Sequence, residues 1–344
     1  MIFITFNNRN DNFGDQLIFS LLYRELSKFE TVYILNNAPA ILKNRPILRI
    51  REALKLGFMA RMRGERFVLL DPPCARLAPR FTKKSVTEVI KRKAIDTLWH
   101  SLGAEKCVVG ISVAEDLPNN TFHGYKLVGL RDKVSLEQIS KLNSNASYCP
   151  DMACLMDVKQ KAYRKNGRIL MSFRKDVPEI GAADSSDKVM ASLNELINTK
   201  TNLIDKELVS FYAQVDEDID YNRQLASSLL HRNDLIISDA ADESYYSMLF
   251  DDCRLVISNR LHVILPAMLE GLPVIALVSK LHTKIINLLT SYGLEENILY
   301  IEDVIHGNYA PLFEYNFHGM MSRNYEKLSV IHDYIQGYLR ENFK

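Results

Sequence analysis

The chain has 344 residues, 47% of them hydrophobic and 25% charged, which is the composition of an ordinary globular protein with enough length for two domains. No uninterrupted apolar run approaches the roughly 18 residues that a membrane-spanning helix needs. The first six residues indicate a strand rather than a signal peptide. We therefore expect a cytoplasmic protein.

The net charge of +1 conceals a difference between the two halves of the chain. Residues 1–150 contain 23 Lys and Arg against 14 Asp and Glu, whereas residues 151–344 contain 20 against 28. Much of the excess lies in residues 43–93, with 15 basic and 4 acidic residues, so this stretch is expected to face an anionic partner. Nucleic acid is not that partner, because the sequence has no RNP-like, helix-turn-helix or zinc-finger pattern.

The cysteines favour neither a disulfide framework nor a metal site. They are odd in number, scattered, and have no CxxC pair or histidine partner at zinc spacing. We expect reduced and mostly buried thiols at the five positions Cys74, Cys107, Cys149, Cys154 and Cys253.

Short apolar runs rich in β-branched residues alternate with longer amphipathic segments, which is typical of βαβ units and parallel sheets. The predicted strands are Ile2–Phe6, Val32–Leu35, Phe67–Leu70, Cys107–Ile111 and Lys126–Leu130, then Ile169–Phe173, Leu208–Tyr212, Leu235–Ser238, Leu255–Ser258 and Val274–Val278. Predicted helices in the first half include Asp15–Phe29 and Ser85–Leu102. Two sets of about five strands predict an α/β protein with two Rossmann-like domains.

The polar segment 157–167 predicts the boundary between these domains. We assign residues 1–160 to an N-terminal domain, residues 161–325 to a C-terminal domain and residues 326–344 to a terminal amphipathic helix. Apolar residues recur near helical spacing in this last segment, at Leu328, Ile331, Tyr334, Ile335 and Leu339.

The loop after the first predicted strand reads "NDNFGDQ". Gly14 permits a tight turn and Asp15 is a suitable helix cap. In an open parallel sheet, ligands bind at this carboxyl end of the strands. The alternative is a capped turn that binds nothing, and this stretch alone leaves both open.

Four basic residues follow predicted strands or lie near the start of predicted helices in the second half. Arg174 follows one strand, Arg260 and His262 lie at the strand-to-helix turn "SNRLHVILPAMLEG", and Lys284 lies near the start of the next helix. A guanidinium bonds phosphate or carboxylate in bidentate fashion, and an imidazole exchanges a proton near neutral pH. Because a buried charge without a partner is costly, we interpret Arg260 as a residue that binds a ligand anion. The alternative is an Arg/His pair satisfied by the protein's own carboxylates.

Two further stretches have competing interpretations. Ile50, Leu54, Phe58 and Met62 recur at i+4 steps among arginines and a lysine, which fits a helix on an anionic membrane surface or an ordinary helix whose apolar side faces the core. In "VDEDID" (residues 215–220), a D-x-D pair is one that some sugar transferases use for a metal-bound nucleotide. Its position after a strand favours a helix start instead.

Taken together, these stretches resemble the polysaccharide pyruvyl transferase family, from about residue 8 to residue 295. The matching positions are Asn12, Gly14 and Asp15; Arg131, Asp132, Ser135, Pro150 and Asp151; Ser172 and Arg174; and Ser258, Arg260, Leu261, His262, Gly271, Pro273, Val274 and Ile275. Many members have a glycine-rich turn where this chain has "LLDPPCARLAP" and "VVGISVAEDLP". The acceptor side is therefore where this sequence departs from the family.

The resemblance implies a GT-B-like fold, with two Rossmann-like domains facing across a cleft. It also implies phosphoenolpyruvate as the donor and co-substrate, a sugar hydroxyl pair as the acceptor, a pyruvate ketal as the product, and no metal or cofactor. On this basis Arg174, Arg260, Leu261 and Lys284 are candidate donor-binding residues, and Asn12 and Gly14 belong to an acceptor-side loop. His262 is the candidate general acid or phosphate contact, and Asp15 the candidate base.

The basic stretch 43–93 then suggests peripheral contact with the inner face of the cytoplasmic membrane, where the acceptor would be a saccharide on a polyprenyl diphosphate. Two other functions stay open. A GT-B nucleotide-sugar glycosyltransferase would need a carboxylate for the ribose and a slot for the base, and no stretch supplies either clearly. A non-catalytic sensor or assembly protein would fit the missing glycine-rich turn.

Overall fold

The computed structural model describes residues 1–5, 12–35, 40–73, 86–113, 117–118, 120–175, 184–198, 204–232, 235–238, 242–308 and 316–344. Packing divides the chain into two compact units. The first comprises Met1–Asn10, Ile18–Met152 and Ile335–Lys344, and the second comprises Asp11–Leu17 and Ala153–Tyr334. The start of the first helix therefore groups with the second unit, and the end of the last helix groups with the first.

The first unit contains a parallel sheet. Its strands are β1 (Ile2–Ile4), β2 (Val32–Leu35), β3 (Ile47–Leu48), β4 (Val68–Asp71), β5 (Glu105–Ile111), β6 (Tyr125–Leu130) and β7 (Ala146–Tyr148). They lie in the order β3-β2-β1-β4-β5-β6-β7, and neighbouring strands are parallel. All five strands predicted in this half are confirmed, whereas the short β3 and β7 were not predicted.

Four helices accompany this sheet in the described part of the chain. They are α1 (Phe13–Leu26), α2 (Ile50–Met62), α3 (Val86–Ser101) and α4 (Lys133–Ser140). Under α2, the rings of Phe3, Phe67 and Trp99 pack with centroid distances of 5.4–6.2 Å. Edge and tilted aromatic contacts of this kind stabilise a core beyond the area they bury.

The second unit repeats the architecture with its own parallel sheet. Its strands are β8 (Arg168–Ser172), β9 (Val209–Ala213), β10 (Leu235–Ile237), β11 (Cys253–Ser258), β12 (Val274–Val278) and β13 (Ile298–Tyr300), in the order β10-β9-β8-β11-β12-β13. Its helices are α5 (Ser186–Asn198), α6 (Ile219–Leu230), α7 (Glu243–Phe250), α8 (Leu261–Leu269), α9 (Thr283–Ser291), α10 (Ile301–Ile305) and α11 (Phe317–Phe343). The predicted α/β class with two parallel sheets is confirmed.

The strand order places a topological switch point in each sheet. In the second unit the chain runs outward from β8 through β9 to β10, and then returns to β11 and runs the other way. The loops after β8 and β11 therefore diverge at the carboxyl edge and leave space for a ligand there. Arg174 and Arg260 follow these two strands directly.

The terminal helix is longer than predicted, since α11 begins at Phe317. The stripe of Leu328, Ile335 and Leu339 is fully buried, whereas Tyr334 is exposed. Among the described residues, none of the helices has both the length and the apolar character needed to cross a membrane.

Candidate active site

A polar pocket lies at the carboxyl edge of the second sheet, where the loops after β8, β9, β11 and β12 meet the start of α1. Its lining residues, all within the second unit, are Asn12, Asp15, Arg174, Gln214, Asn259, Arg260, Leu261, His262, His282, Lys284 and Ile285. Seven of the eight candidate site residues named from the sequence are therefore neighbours in this pocket. The eighth, Gly14, packs against His262.

The start of α1 contacts the pocket through a glycine. A Cβ on Gly14 would lie 2.7 Å from both Cβ and Nδ1 of His262 and 2.8 Å from Nε2 of Gln214, closer than packed atoms allow. Gly14 lies inside the helix, so the expectation of a tight turn there is wrong. The glycine is needed because the helix start approaches His262 so closely.

Asn12 caps α1. Its Oδ1 accepts the backbone N–H of Asp15 at 3.2 Å, and its backbone forms an antiparallel bridge with Val215. The prediction that Asp15 is the cap is therefore wrong, because the cap lies three residues earlier. Asp15 lies instead in the first turn, with Oδ1 4.0 Å from Nδ1 of His262.

His262 lies in the first turn of α8, and neighbouring groups fix its backbone. Its φ of −84° and ψ of 16° depart from helical values. Its carbonyl accepts Nε2 of Gln214 at 2.9 Å, and the same amide nitrogen donates to Tyr246 Oη at 2.9 Å. These bonds hold the turn, so the imidazole is presented to the pocket in a defined position.

Arg260 is held at the end of β11. Its N–H donates to Ser258 Oγ at 2.9 Å, and that hydroxyl donates to the Ser172 carbonyl at 2.6 Å, which ties the ends of β11 and β8 together. Its guanidinium Nη2 forms an ion pair with Asp218. The interpretation that Arg260 lacks a protein partner is therefore wrong. The carboxylate comes from the D-x-D segment, some 40 residues away in sequence.

Asp218 ends a 3-10 helix, Asp216–Asp218, that leads directly into α6, so the predicted helix start is confirmed. Its side chain does not cap α6 and is almost completely buried. Burial raises the pKa of Asp218, and the attraction of Arg260 and Arg174 only partly offsets this. The carboxylate is therefore a weakened counter-ion.

The ion pair leaves part of the guanidinium unsatisfied. Within the described part of the chain, Nε of Arg260 has no hydrogen-bond partner although it is buried. A buried donor without a partner is unfavourable by roughly 1–3 kcal/mol. An anion in the pocket that Arg260 lines would relieve this penalty without first breaking the bond to Asp218.

His282 is a pocket residue that sequence reasoning missed. It precedes α9 and is 1% exposed, and its Nδ1 lies 2.6 Å from Oδ2 of the fully buried Asp184. The carboxylate at Nδ1 fixes the orientation of the His282 ring. The sequence signal was present, since His282 lies two residues before Lys284, but its partner is 98 residues away.

The same carboxylate organises the edge of the pocket. Asp184 accepts the N–H of Ser279 at 2.7 Å and Nδ2 of Asn259 at 2.8 Å. Asn259 in turn accepts the Arg174 N–H at 2.7 Å. One network therefore fixes the His282 ring and the backbone from which the Arg174 side chain extends.

The sequence model of the polysaccharide pyruvyl transferase family matches residues 102–280, just over half of the chain. The chain belongs to this family. The matched region includes Arg174, Arg260 and His262, whereas Asn12 to Asp15, His282 and Lys284 lie outside it. None of the curated proteins matches this family member significantly in sequence.

Family motif residues of the first unit form a buried network in this pyruvyl transferase family member. Arg131 is 1% exposed; its Nη1 donates to Asp151 Oδ2 at 2.5 Å and its Nε donates to Ser112 Oγ at 2.7 Å. Asp132 accepts the Ser112 hydroxyl at 2.6 Å and caps α4 by accepting the Ser135 N–H at 2.8 Å. These motif residues hold the ends of β5, β6 and α4 together.

Solved structures show that this pyruvyl transferase family member has a GT-B-like fold. UDP-GlcNAc 2-epimerase from Neisseria meningitidis bound to UDP-GlcNAc is similar with a TM-score of 0.56 and 11% identity, covering 99% of this chain and 100% of the other. The S. aureus MnaA–UDP co-structure is similar with a TM-score of 0.54 and 11% identity, covering 98% of this chain and 96% of the other. Spinosyn rhamnosyltransferase SpnG complexed with spinosyn aglycone is similar with a TM-score of 0.50 and 10% identity, covering 96% of this chain and 96% of the other. At this identity the likeness concerns the fold alone.

Proposed function

We propose that this protein transfers the pyruvyl group of phosphoenolpyruvate onto two hydroxyls of one sugar, forming a pyruvate ketal. The acceptor is a saccharide of a surface polysaccharide or its lipid-linked precursor. The observation that carries the proposal is the pocket of the second unit, which brings three cations, Arg174, Arg260 and Lys284, together with two His–Asp pairs. Family membership supports the same chemistry.

The cations fit the donor. Phosphoenolpyruvate is small and carries both a phosphate and a carboxylate, so its site requires several charge-assisted hydrogen bonds in a limited space. Arg260 offers its unsatisfied Nε, and Lys284 lies in the first turn of α9. Arg174 adds a second guanidinium from the loop after β8. Leu261 gives the pocket an apolar wall beside these groups.

Ketal formation moves the protons of two hydroxyls to new positions. Protonation of the methylene carbon makes the central carbon electrophilic, and the first sugar hydroxyl attacks it and loses its proton. The carbon–oxygen bond to phosphate then breaks, and the second hydroxyl attacks and loses its proton. Of the two hydroxyl protons, one balances the new methyl group and the other leaves on the phosphate. No metal, oxidant or reductant takes part.

Two imidazoles match these two transfers. His262 protonates the methylene carbon, and Asp15, 4.0 Å from its ring, accepts the proton of the first hydroxyl. His282, whose ring is fixed by Asp184 at 2.6 Å, gives a proton to the phosphate as it leaves and then takes up the proton of the second hydroxyl. The Asp184 carboxylate stabilises the imidazolium while His282 holds that proton.

Turnover of a soluble acceptor tests the proposal directly. The full chain is incubated with phosphoenolpyruvate and a β-galactoside or β-glucoside, and phosphate release is measured together with the mass of the product. We expect phosphate release that depends on the acceptor, and a product heavier by one pyruvate less one water. Phosphate release without a sugar product, or no release with any glycoside tested, would contradict the proposal.

The role of His282 has its own test. Asp184→Asn removes the charge that favours the imidazolium, so we expect kcat to fall about 10- to 100-fold and the pH dependence of kcat to shift, with KM for phosphoenolpyruvate changing less. His282→Gln should lower kcat by at least as much. His332→Gln is the matched control, since Nδ1 of His332 contacts the Cys154 carbonyl at 2.9 Å outside the pocket. An equal loss in the control, or an unchanged pH profile in Asp184→Asn, would assign His282 a structural role.

The fold of the solved neighbours keeps one rival worth testing, a nucleotide-sugar glycosyltransferase. A thermal-shift comparison separates the two, because only the occupant of the pocket should raise Tm by mass action. We expect phosphoenolpyruvate to raise Tm and UDP- and GDP-sugars to leave it unchanged. The opposite pattern would favour the glycosyltransferase.

A further inference from the structure

Helix α2 packs on the core through its small residues, with Leu54 and Leu56 beside them, and turns three large apolar residues outward. The buried residues of the helix are Ala53, Gly57 and Ala60. A Cβ on Gly57 would lie 3.2 Å from the ring of Trp99 and 3.3 Å from that of Phe67, so the helix sits close against the core. Close packing on these small residues leaves no room for larger side chains at the same positions.

Three of the large apolar side chains of α2 are exposed instead. Phe58 is 54% exposed, Met59 is 43% exposed and Met62 is 72% exposed. At 100° per residue, these three side chains and the exposed Arg51 and Lys55 fall within one arc of the helix. The predicted apolar stripe therefore does not pack in the core at Phe58 and Met62, and cations alternate with apolar groups along it.

The remaining charges of α2 are engaged elsewhere. Glu52 is the acidic residue of the helix, and its carboxylate accepts the N–H of Arg49 at 2.8 Å as part of the N-terminal cap. Arg61 donates to the Ser101 carbonyl at 2.6 Å and so ties the helix to the end of α3. The outward arc thus combines the apolar area of Phe58, Met59 and Met62 with the positive charge of Arg51 and Lys55.

We propose that this outer face of α2, formed by Arg51, Lys55, Phe58, Met59 and Met62, docks the protein reversibly on an anionic lipid surface. Single exposed apolar residues are common on soluble proteins. Three on one helical arc with cations between them are what an interfacial helix presents to lipid headgroups and acyl chains. The basic excess of residues 43–93 has the complementary sign for that surface.

Docking on lipid would favour a lipid-linked acceptor over a free one. Only this part of the inference rests on the proposed function. Docking itself requires no catalysis. Binding to lipid can therefore succeed or fail separately from turnover of a soluble glycoside.

Vesicle sedimentation of the full chain tests docking. We expect the protein to sediment at low salt with vesicles of equal parts phosphatidylcholine and phosphatidylglycerol, and to be released by high salt or by pure phosphatidylcholine. The double variants Phe58→Ser/Met62→Ser and Arg51→Glu/Lys55→Glu should each weaken binding at least about tenfold. Turnover of the soluble glycoside should stay unchanged in both.

Matched controls come from the second unit. Met248 is 68% exposed, close to Met62, and Lys188 is exposed on α5. Met248→Ser and Lys188→Glu should therefore bind vesicles like the wild type.

Several results would overturn docking through α2. They are absence of wild-type binding, equal binding to neutral vesicles, equal loss in the controls, or self-association through this face without lipid. If these occurred while glycoside turnover persisted, the proposed function would stand. If the protein bound vesicles but did not turn over a glycoside, docking through α2 would stand and the proposed function would not.

Discussion

The two units use an arginine–aspartate pair in different ways. In the first unit Arg131 and Asp151 lie in a closed core, with 1% and 0% of their side chains exposed. In the second unit Arg260 and Asp218 lie beside a pocket, with 10% and 2% exposed. Each arginine keeps one nitrogen without a partner within the described residues, Nη2 in Arg131 and Nε in Arg260.

An unsatisfied guanidinium nitrogen therefore does not by itself identify a ligand site. Both arginines lie in the region that the family model matches, both are buried, and both pair with a protein carboxylate. What differs is access, since Arg260 lines a pocket that also contains His262, His282, Arg174 and Lys284. Four predictions can break or sharpen this distinction, beginning with the largest effect.

His262→Gln should lower turnover about 10²- to 10⁴-fold, because glutamine keeps a polar side chain of similar size but cannot exchange a proton near neutral pH. Phosphoenolpyruvate binding, measured by calorimetry, should change much less than kcat. Unchanged turnover would remove His262 from proton transfer and would leave the second unit with a binding pocket only.

Arg131→Met should lower the free energy of unfolding by about 3–5 kcal/mol, since it removes the guanidinium that pairs with the buried carboxylate of Asp151. Urea unfolding measures this change. The folded fraction should keep wild-type affinity for phosphoenolpyruvate. A selective loss of donor affinity at normal stability would show that the first-unit pair has a role in binding.

Arg260→Ala should weaken phosphoenolpyruvate binding by about 1.5–3 kcal/mol, the range for a charge-assisted hydrogen bond. It should lower the unfolding free energy less than Arg131→Met does, because burial has already raised the pKa of Asp218 and the orphaned carboxyl can take up a proton. Calorimetry and urea unfolding give the two quantities. The assignment of Arg260 to donor binding fails if the affinity for phosphoenolpyruvate is unchanged while the free energy of unfolding falls.

The smallest effect is the pH dependence of stability at Asp218. Because the folded-state pKa is raised, the folded protein holds this proton more tightly than the unfolded chain. The stabilisation from this bound proton is therefore present at low pH and is lost as pH rises through the folded-state pKa. The total loss is about 1.4 kcal/mol for each pH unit that separates the folded and unfolded pKa values. The stability advantage of the wild type over Asp218→Asn should shrink as the pH rises above the ordinary carboxyl pKa of 3.8, until the folded-state pKa of Asp218 has been passed. A constant difference would mean that the pKa of Asp218 is not raised.

Local pattern was sufficient for the fold and for much of the pocket lining. Alternating apolar runs predicted ten strands that the structure contains, because parallel strands buried on both faces read as short continuous apolar segments. Missing were β3, β7 and β13, which have two or three residues each and too little pattern to detect. Since parallel strands end at one edge, positions after the strands also indicated Arg174 and Arg260.

Pairing across long sequence distances needed the tertiary structure. Asp218 reaches Arg260 from the loop after β9, and Asp184 reaches His282 from the segment before α5. No periodicity links residues so far apart, so sequence reasoning left Arg260 without a counter-ion and overlooked His282. The cap of α1 illustrates the same limit at short range, since Asn12 and Asp15 are both good caps and only the geometry selects Asn12.

The orientation of α2 shows why the sequence does not predict which face of a helix packs on the core. Its large apolar residues and its small residues each form a face of one helix, and periodicity alone does not say which face the core accepts. The tertiary structure decides, because Trp99 and Phe67 fill the space beneath the helix, so that Ala53, Gly57 and Ala60 lie closest to the core and Leu54 and Leu56 pack beside them. The sequence by itself determined the elements and the edge of the sheet where charged groups gather. Side-chain volume and long-range pairing decided which of those groups face a ligand, which face the core and which face outward.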